Sequence, residues 1–348
     1  MTGRVCFAIP GDIEAPTGGY GYDRCLIAGL RALGWTVDTI ALPDGFPFPD
    51  AEVLTTTEAV LNDVPEGALV MIDGLAFGAM PDLAGKLSRK LRLVALVHHP
   101  LADETGLSPL DAESLARSER RALGFARQVI CTSRTTAHRL ADGFWVEPGR
   151  LTVALPGTDR HPRPAPRDGE PIIVSLGALI PRKGHDVLLT ALAKLGGRNW
   201  SCRIVGSADR DPEWSASLTE LAKALGLSDR VRFVGTTSDP ASELRAASIF
   251  ALPSRHEGYG MVFAEALSHG LPIIACKAGA VPEVVPPEAG ILVPPDDPEA
   301  LANALGDLLD DNERRRSMAN AAWQAGQRLP GWNDTAIAVA TALEKAAS

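Results

Sequence analysis

Short, continuously apolar runs recur along the whole chain, separated by stretches of helical periodicity. That is the pattern of parallel strands covered on both faces. In the first half the runs are Val5–Ile9, Thr36–Ala41, Ala68–Ile72, Leu93–Val97, Val129–Thr132 and Leu151–Leu155. Between the first two, Leu26, Ile27, Leu30 and Leu33 fall at helical spacing, with Gly34 placed to end the helix. The rhythm restarts at Ile172–Leu176 and continues through Cys202–Val205, Val231–Val234, Ile249–Leu252, Ile273–Ala275 and Ile291–Val293. Such alternation predicts an α/β fold of doubly wound sheets. At 348 residues the chain exceeds one ordinary core, so two domains are expected, 1–160 and 168–328. Arg160–Gly169, with Pro162, Pro164 and Pro166 in alternation, reads as a stiff linker between them. Beyond Leu329-Pro330-Gly331, the alanine-rich run Thr335–Ala347 is expected to fold back onto the first domain, which assigns 331–348 to it. There is no internal repeat.

Charge and cysteine usage narrow the function classes. Lys and Arg total 34 against 43 Asp and Glu, a formal charge of −9, which argues against a nucleic-acid partner. A local basic pocket for one phosphorylated small molecule is still compatible with that sign. No apolar run approaches the roughly 20 residues that span a bilayer, and Met1–Phe7 leads straight into a strand without an apolar leader. Cys6, Cys25, Cys131, Cys202 and Cys276 are scattered, odd in number and without C-x-x-C spacing. They read as reduced, buried thiols, so the expected location is the cytoplasm.

Two segments at strand ends carry the chemistry. Ser254–Leu267 follows a strand and opens a helix that Gly270 ends before Pro272. Gly258 and Gly260 permit a tight turn there, and the amides of Gly260, Met261 and Val262 leave a helix N-terminus suited to a phosphate. Glu257 lies in the loop and Glu265 one turn beyond Met261, so the two carboxylates can take opposite ends of one ligand. In Gly177–Gly184, Arg182 and Lys183 follow another strand and together can neutralise a diphosphate. A third loop, Pro10–Gly21, is glycine-rich but lacks G-x-G-x-x-G, and no acidic residue closes the second strand as a nicotinamide site requires.

The stretch Glu257-Gly-Tyr-Gly-Met-Val-Phe-Ala-Glu265 runs on into Gly270-Leu-Pro272 and Gly279-Ala-Val-Pro-Glu283, and Gly290-Ile-Leu-Val-Pro-Pro-Asp296 follows. This series resembles the E-x7-E region of the retaining GT-B enzymes of glycosyltransferase family 4, which have two Rossmann-like domains facing a cleft. The resemblance covers nearly the whole chain and is strongest over residues 170–310. It implies that Glu257 contacts the donor sugar and Glu265 the ribose hydroxyls. It also implies that Lys183 and Arg182 hold the diphosphate, although the common arginine directly after the first glycine is Ala178 here. Gly18 and Gly19 match the loop near the donor's sugar-phosphate and the acceptor, and His98 matches the histidine close to the donor sugar. Gly206 and Gly235 are carried over as donor-binding, the latter in the loop Phe233–Thr236 that borders the base.

Other features weigh less. Asp209-Arg210-Asp211 is a literal D-x-D, read as a solvated loop near the nucleotide and not as a metal site. His138, His161, His185, His256 and His269 are expected at the surface or on helix faces. Lys86, Arg89, Lys90 and Arg92, and then Arg117, Arg120, Arg121 and Arg127, form basic patches interspersed with Glu113 and Glu119. They are read as solvated helix faces, with weak peripheral contact at the inner face of a membrane as the alternative.

The resulting expectation is transfer of a hexose from a UDP-, GDP- or ADP-sugar to an unidentified acceptor, with retention and with no metal or other cofactor. His98, Lys183 and Glu257 are the expected catalytic residues. A GT-B epimerase or phosphorylase, or a non-catalytic nucleotide-sugar-binding protein, is the alternative.

Overall fold

The apolar runs become strands because each can bury both faces between layers of helix. The computed structural model describes residues 3–164 and 169–348, so Ala165–Asp168 of the expected linker lie outside the described residues, as do Met1 and Thr2. The first sheet contains β1 (Arg4–Pro10), β2 (Thr36–Leu42), β3 (Leu69–Asp73), β4 (Arg92–Val97), β5 (Gln128–Cys131) and β6 (Leu151–Val153). The second contains β7 (Ile172–Leu176), β8 (Ser201–Val205), β9 (Val231–Gly235), β10 (Ile249–Leu252), β11 (Ile273–Cys276) and β12 (Gly290–Val293). Every strand pairing recorded is parallel. These are two Rossmann-like, doubly wound domains.

The strand orders locate the sites. The first sheet runs β2-β1-β3-β4-β5-β6, so its winding reverses between β1 and β3. The second runs β12-β11-β10-β7-β8-β9, which is 3-2-1-4-5-6 counted within that domain, with the reversal between β7 and β10. In open parallel sheets ligands bind beyond the carboxyl ends of the strands at that reversal, where the flanking loops diverge and leave a crevice. The loops after β7 and β10 carry Lys183 and Glu257.

The chain divides into Met1–Gly157 with Pro330–Ser348, and Thr158–Leu329. The C-terminal helix Trp332–Ala347 belongs to the first unit. Thr335 Oγ1 donates to Leu155 O at 2.7 Å, and Arg127 donates to Ala346 O at 3.1 Å. His161–Pro164, within the stretch read as a stiff linker, are bound to the second unit. The indole of Trp323 and the amide of Gln327 both donate to His161 O, at 3.0 and 3.1 Å. No helix among the described residues is long and apolar enough to cross a membrane.

Candidate active site

In the second unit, β7 delivers the turn Pro181–Lys183 and β10 delivers Glu257. Gly184 makes their approach close enough. Its φ is +68°, and a Cβ there would sit 2.1 Å from Pro253 O, so only glycine lets the two loops touch. Lys183 Nζ then reaches Glu257 Oε1 at 2.7 Å, and Arg182 approaches Oε2 at 3.4 Å while donating to His256 O at 3.1 Å. Burial pushes the Glu257 carboxyl up, but the charges of Lys183 and Arg182 and the Lys183 hydrogen bond outweigh it and hold the group at about 2. The carboxylate is therefore ionised at any physiological pH.

The helix Met261–Ser268 follows, with Gly260 at its N-cap and no side chain capping it. Phe263 N is used by Gly260 O at 2.9 Å, which leaves the first amides, those of Met261 and Val262, outside the helical ladder. Glu265 sits on this helix, and no ion pair to it is recorded among the described residues. Burial raises it to about 7, with a smaller push from Asp159. Glu257 and Glu265 thus differ in charge state near neutrality although they lie on one continuous segment.

Gly206 and Gly235 sit on neighbouring strand ends, Gly206 N donating to Gly235 O at 3.0 Å. A Cβ at Gly206 would lie 1.9 Å from Gly177 O, so packing of the β7 and β8 ends already requires glycine at this position. Asp211 caps the helix Pro212–Ala224, accepting from Trp214 N at 2.9 Å, and Asp209 accepts from Ser207 Oγ at 3.1 Å. The D-x-D is thus spent on local loop and helix-cap bonds.

Two of the histidines expected at the surface or on helix faces are buried, which corrects the surface half of that reading. His185 opens the helix His185–Ala193, and burial together with the charge of Lys183 lowers it to about 3. His269 ends the Met261–Ser268 helix and stacks on His161, ring centroids 3.9 Å apart. Glu119, expected on a solvated face, is also buried and accepts from Leu101 N at 2.9 Å. Most of the basic-patch cations have partners. Lys86 pairs with Glu58 at 3.2 Å, Arg121 with Asp82 at 2.5 Å, and Arg120 stacks on Trp145 at 4.4 Å.

In the first unit, His98 follows β4 at the carboxyl edge of its sheet. Its Nε2 lies 3.3 Å from Asp23 Oδ1 and 3.4 Å from Asp73 Oδ2, and both aspartates are buried. Burial alone would strip the ring of its proton, but the two carboxylates outweigh it and hold His98 well above its usual range. Gly19 abuts this ring, where a Cβ would be 3.4 Å from His98 Cδ2, and Gly18 has open space beside it. Asp23, Asp73 and His98 are the one grouping among the described residues with metal-ligand spacing.

Sequence reasoning did not single out Asp23, Asp73 or Arg255. Asp23 left a readable trace, an acidic residue on the apolar stripe of the helix Gly18–Ala32 that also carries Leu26, Ile27 and Leu30. Arg255 left none, because its partners are remote in sequence. It reaches Asp186 and Asp296 at 2.7 Å each, while its amide donates to Arg182 O at 2.8 Å. It therefore ties the cation loop to the carboxylate loop.

Residues 158–325 match the family model described as glycosyl transferases group 1. The chain is 34% identical over 281 residues to the GDP-mannose-dependent alpha-(1-6)-phosphatidylinositol monomannoside mannosyltransferase of Mycolicibacterium smegmatis, covering 72% of this chain and 70% of that relative. It is 32% identical over 245 residues to the D-inositol 3-phosphate glycosyltransferase of Salinispora tropica, covering 62% of this chain and only half of that relative's length. In fold it is similar to the sucrose-phosphate synthase of Thermosynechococcus elongatus, with a TM-score of 0.80, 23% identity and 97% of each chain covered.

Proposed function

This chain belongs to the glycosyl transferases group 1 family and is a glycosyltransferase of GT-B fold, and on that premise we propose that it moves a hexose from a nucleotide-diphosphate sugar to an acceptor with retention of configuration. The observation that carries the proposal is the Lys183–Glu257 pair, flanked by Arg182, at the reversal point of the second sheet. Arg182, Lys183 and the amides of Met261 and Val262 neutralise the diphosphate, and no divalent ion is needed for that purpose. Glu257 positions the sugar and Glu265 takes the ribose hydroxyls. The first unit serves the acceptor, and its Gly18, Gly19 and His98 are taken, as the family resemblance implies, to serve the donor's sugar-phosphate and sugar. In the reaction the bond from the anomeric carbon to the diphosphate oxygen breaks. The acceptor oxygen bonds to that carbon on the same face, and its proton passes to a departing phosphate oxygen.

GDP-mannose is the first donor to try, since one relative is named for its dependence on it. UDP- and ADP-hexoses complete the panel. The test is release of nucleoside diphosphate in excess EDTA, with sugars and inositol- or lipid-linked glycans offered as acceptors. Release that requires an acceptor is expected. Activity lost to EDTA and restored by Mn²⁺ contradicts the metal-free charge balance. A changed sugar nucleotide without release, or turnover that needs inorganic phosphate, makes the protein an epimerase or a phosphorylase.

A further inference from the structure

Two buried carboxylates that face one ring nitrogen favour positive charge between them, and His98 is the group recorded within ion-pair distance of both. Asp73 Oδ1 accepts from Leu75 N at 2.7 Å, which fixes this carboxylate and leaves Oδ2 toward the ring. Asp23 is fully buried on the helix Gly18–Ala32, and neither of its carboxylate oxygens meets a standard hydrogen-bond donor among the described residues. Thr132 Oγ1 holds the His98 carbonyl at 2.9 Å, and the Tyr22 ring meets the imidazole edge-on at 5.3 Å. The polar atoms of Asp23, Asp73 and His98 lie within 4.8 Å of one another.

We infer that Asp23 and Asp73, two buried carboxylates facing one ring nitrogen, are positioning residues that hold His98 as an imidazolium, a fixed hydrogen-bond donor and not a general base. An imidazolium offsets carboxylate charge in the buried site, which tolerates such a pairing far better than two bare carboxylates. Burial and, less strongly, Asp73 raise the Asp23 carboxyl to about 6 against the attraction of His98, so above that pH it is mostly ionised and faces the ring as a charge. The groups that face the ring are Asp23 and Tyr22 from the helix Gly18–Ala32 and Asp73 from the end of β3. Tyr22 is itself pushed well above the usual phenol range by burial, so it stays neutral. The consequence is chemical. With Nε2 held at ion-pair distance from two carboxylates, 3.3 and 3.4 Å, the ring keeps its proton and cannot take another from an acceptor hydroxyl, so that proton must leave by another route.

This inference deepens the transfer reading and rests on it only for its kinetic arm. Its first arm needs no substrate: histidine ring signals of the full-length protein followed by NMR from pH 5.5 to 8.5, with His98 assigned by its absence in His98→Gln. The expected result is a His98 ring that does not titrate in that range and carries both ring protons. A midpoint at or below pH 7 in the wild-type protein overturns the inference, as does a stoichiometric divalent metal found in the purified protein by elemental analysis. The second arm uses Asp23→Asn and Asp73→Asn. Each should bring the His98 midpoint down toward the ordinary value of about 6.5. For a midpoint there, kcat at pH 8.5 should fall about a hundredfold relative to pH 6, since only about one ring in a hundred keeps its proton. KM should change little, and wild type should be flat over the same range. Parallel pH profiles in wild type and both variants would mean that the aspartates only pack.

Discussion

Glu257 is a buried carboxylate whose charge depends on two cations, so a change in either cation alters it as well. In Lys183→Ala the carboxylate keeps only Arg182, at 3.4 Å, against the burial that pushes its proton affinity up. The lowered value of about 2, against an ordinary 4.5, means that the pair stabilises the fold above pH 4.5 and loses that contribution as pH falls toward 2. Lys183→Ala should therefore cost about 3 kcal/mol at pH 7, and the deficit should narrow below pH 4.5. Denaturant melts at pH 7 and pH 4 check the sign. In turnover the same variant should lower kcat more than it raises KM, because the cation meets more charge on the departing diphosphate than on the bound donor. Near-wild-type values of both constants would make Lys183 a structural cation. Much of this was legible in the sequence, since Arg182, Lys183, Glu257 and Glu265 stand in short motifs at strand ends. That Lys183 and Glu257 bind each other was not legible, because only the meeting of two loops 74 residues apart creates the bond.

The helix Met261–Ser268 and the loop before it divide the proposed labour between two ends of one element. Glu265→Ala should weaken nucleoside diphosphate binding and erase the preference for ribo- over 2′- or 3′-deoxyribonucleotides. Glu257→Ala should depress kcat and leave nucleotide affinity nearly intact. A carboxylate–hydroxyl bond of this kind contributes about 1.5–3 kcal/mol, and calorimetry on both variants resolves that. Equal losses in the two variants would contradict the division. Glu265 adds a pH signature. Because its carboxyl is raised to about 7, the ionised share grows as pH rises through neutrality, and hydroxyl donors favour that share. Nucleotide affinity should rise from pH 6 to pH 8, and binding at pH 6.5 should release a proton, read from calorimetry in buffers of different ionisation enthalpy. A second element, the helix Pro109–Leu123, carries exposed Leu110 with Arg117 and Arg121 at 7- and 11-residue spacing, one stripe of the helix. If this stripe makes the weak membrane contact that stands as the alternative to a solvated face, Leu110→Asp should reduce sedimentation with anionic vesicles. Unchanged sedimentation excludes that face. The strands were readable because burial on both sides leaves continuous apolar runs. β6 stops at Val153, short of the expected Leu155, because its next carbonyls turn to other work: Leu155 O accepts from Thr335. That His161 in the linker stretch is held by the indole of Trp323 was not legible, because the prolines are local whereas Trp323 lies 162 residues away.

Across the whole molecule, a net charge of −9 coexists with a small cationic site at one sheet reversal, so total charge argues against nucleic acid without speaking to nucleotides. The architecture was legible as a rhythm of strand and helix, but the strand orders were not, and they make the site intelligible. Lys183 and Glu257 meet because β7 and β10 are neighbours in the sheet although two strands separate them in the chain. A ligand that binds only the folded protein stabilises it by nearly 3 kcal/mol at 100 times its Kd, or roughly 5–10 °C in Tm for domains of this size. The central claim, that the second unit is built for a nucleotide-diphosphate sugar, is tested most directly by a thermal-shift panel of UDP-, GDP- and ADP-sugars on wild type and Lys183→Ala in the presence of EDTA. The account predicts a shift of that size with at least one donor in wild type, and a much smaller one in the variant. No shift with any donor at millimolar concentration, or equal shifts in both proteins, would contradict it.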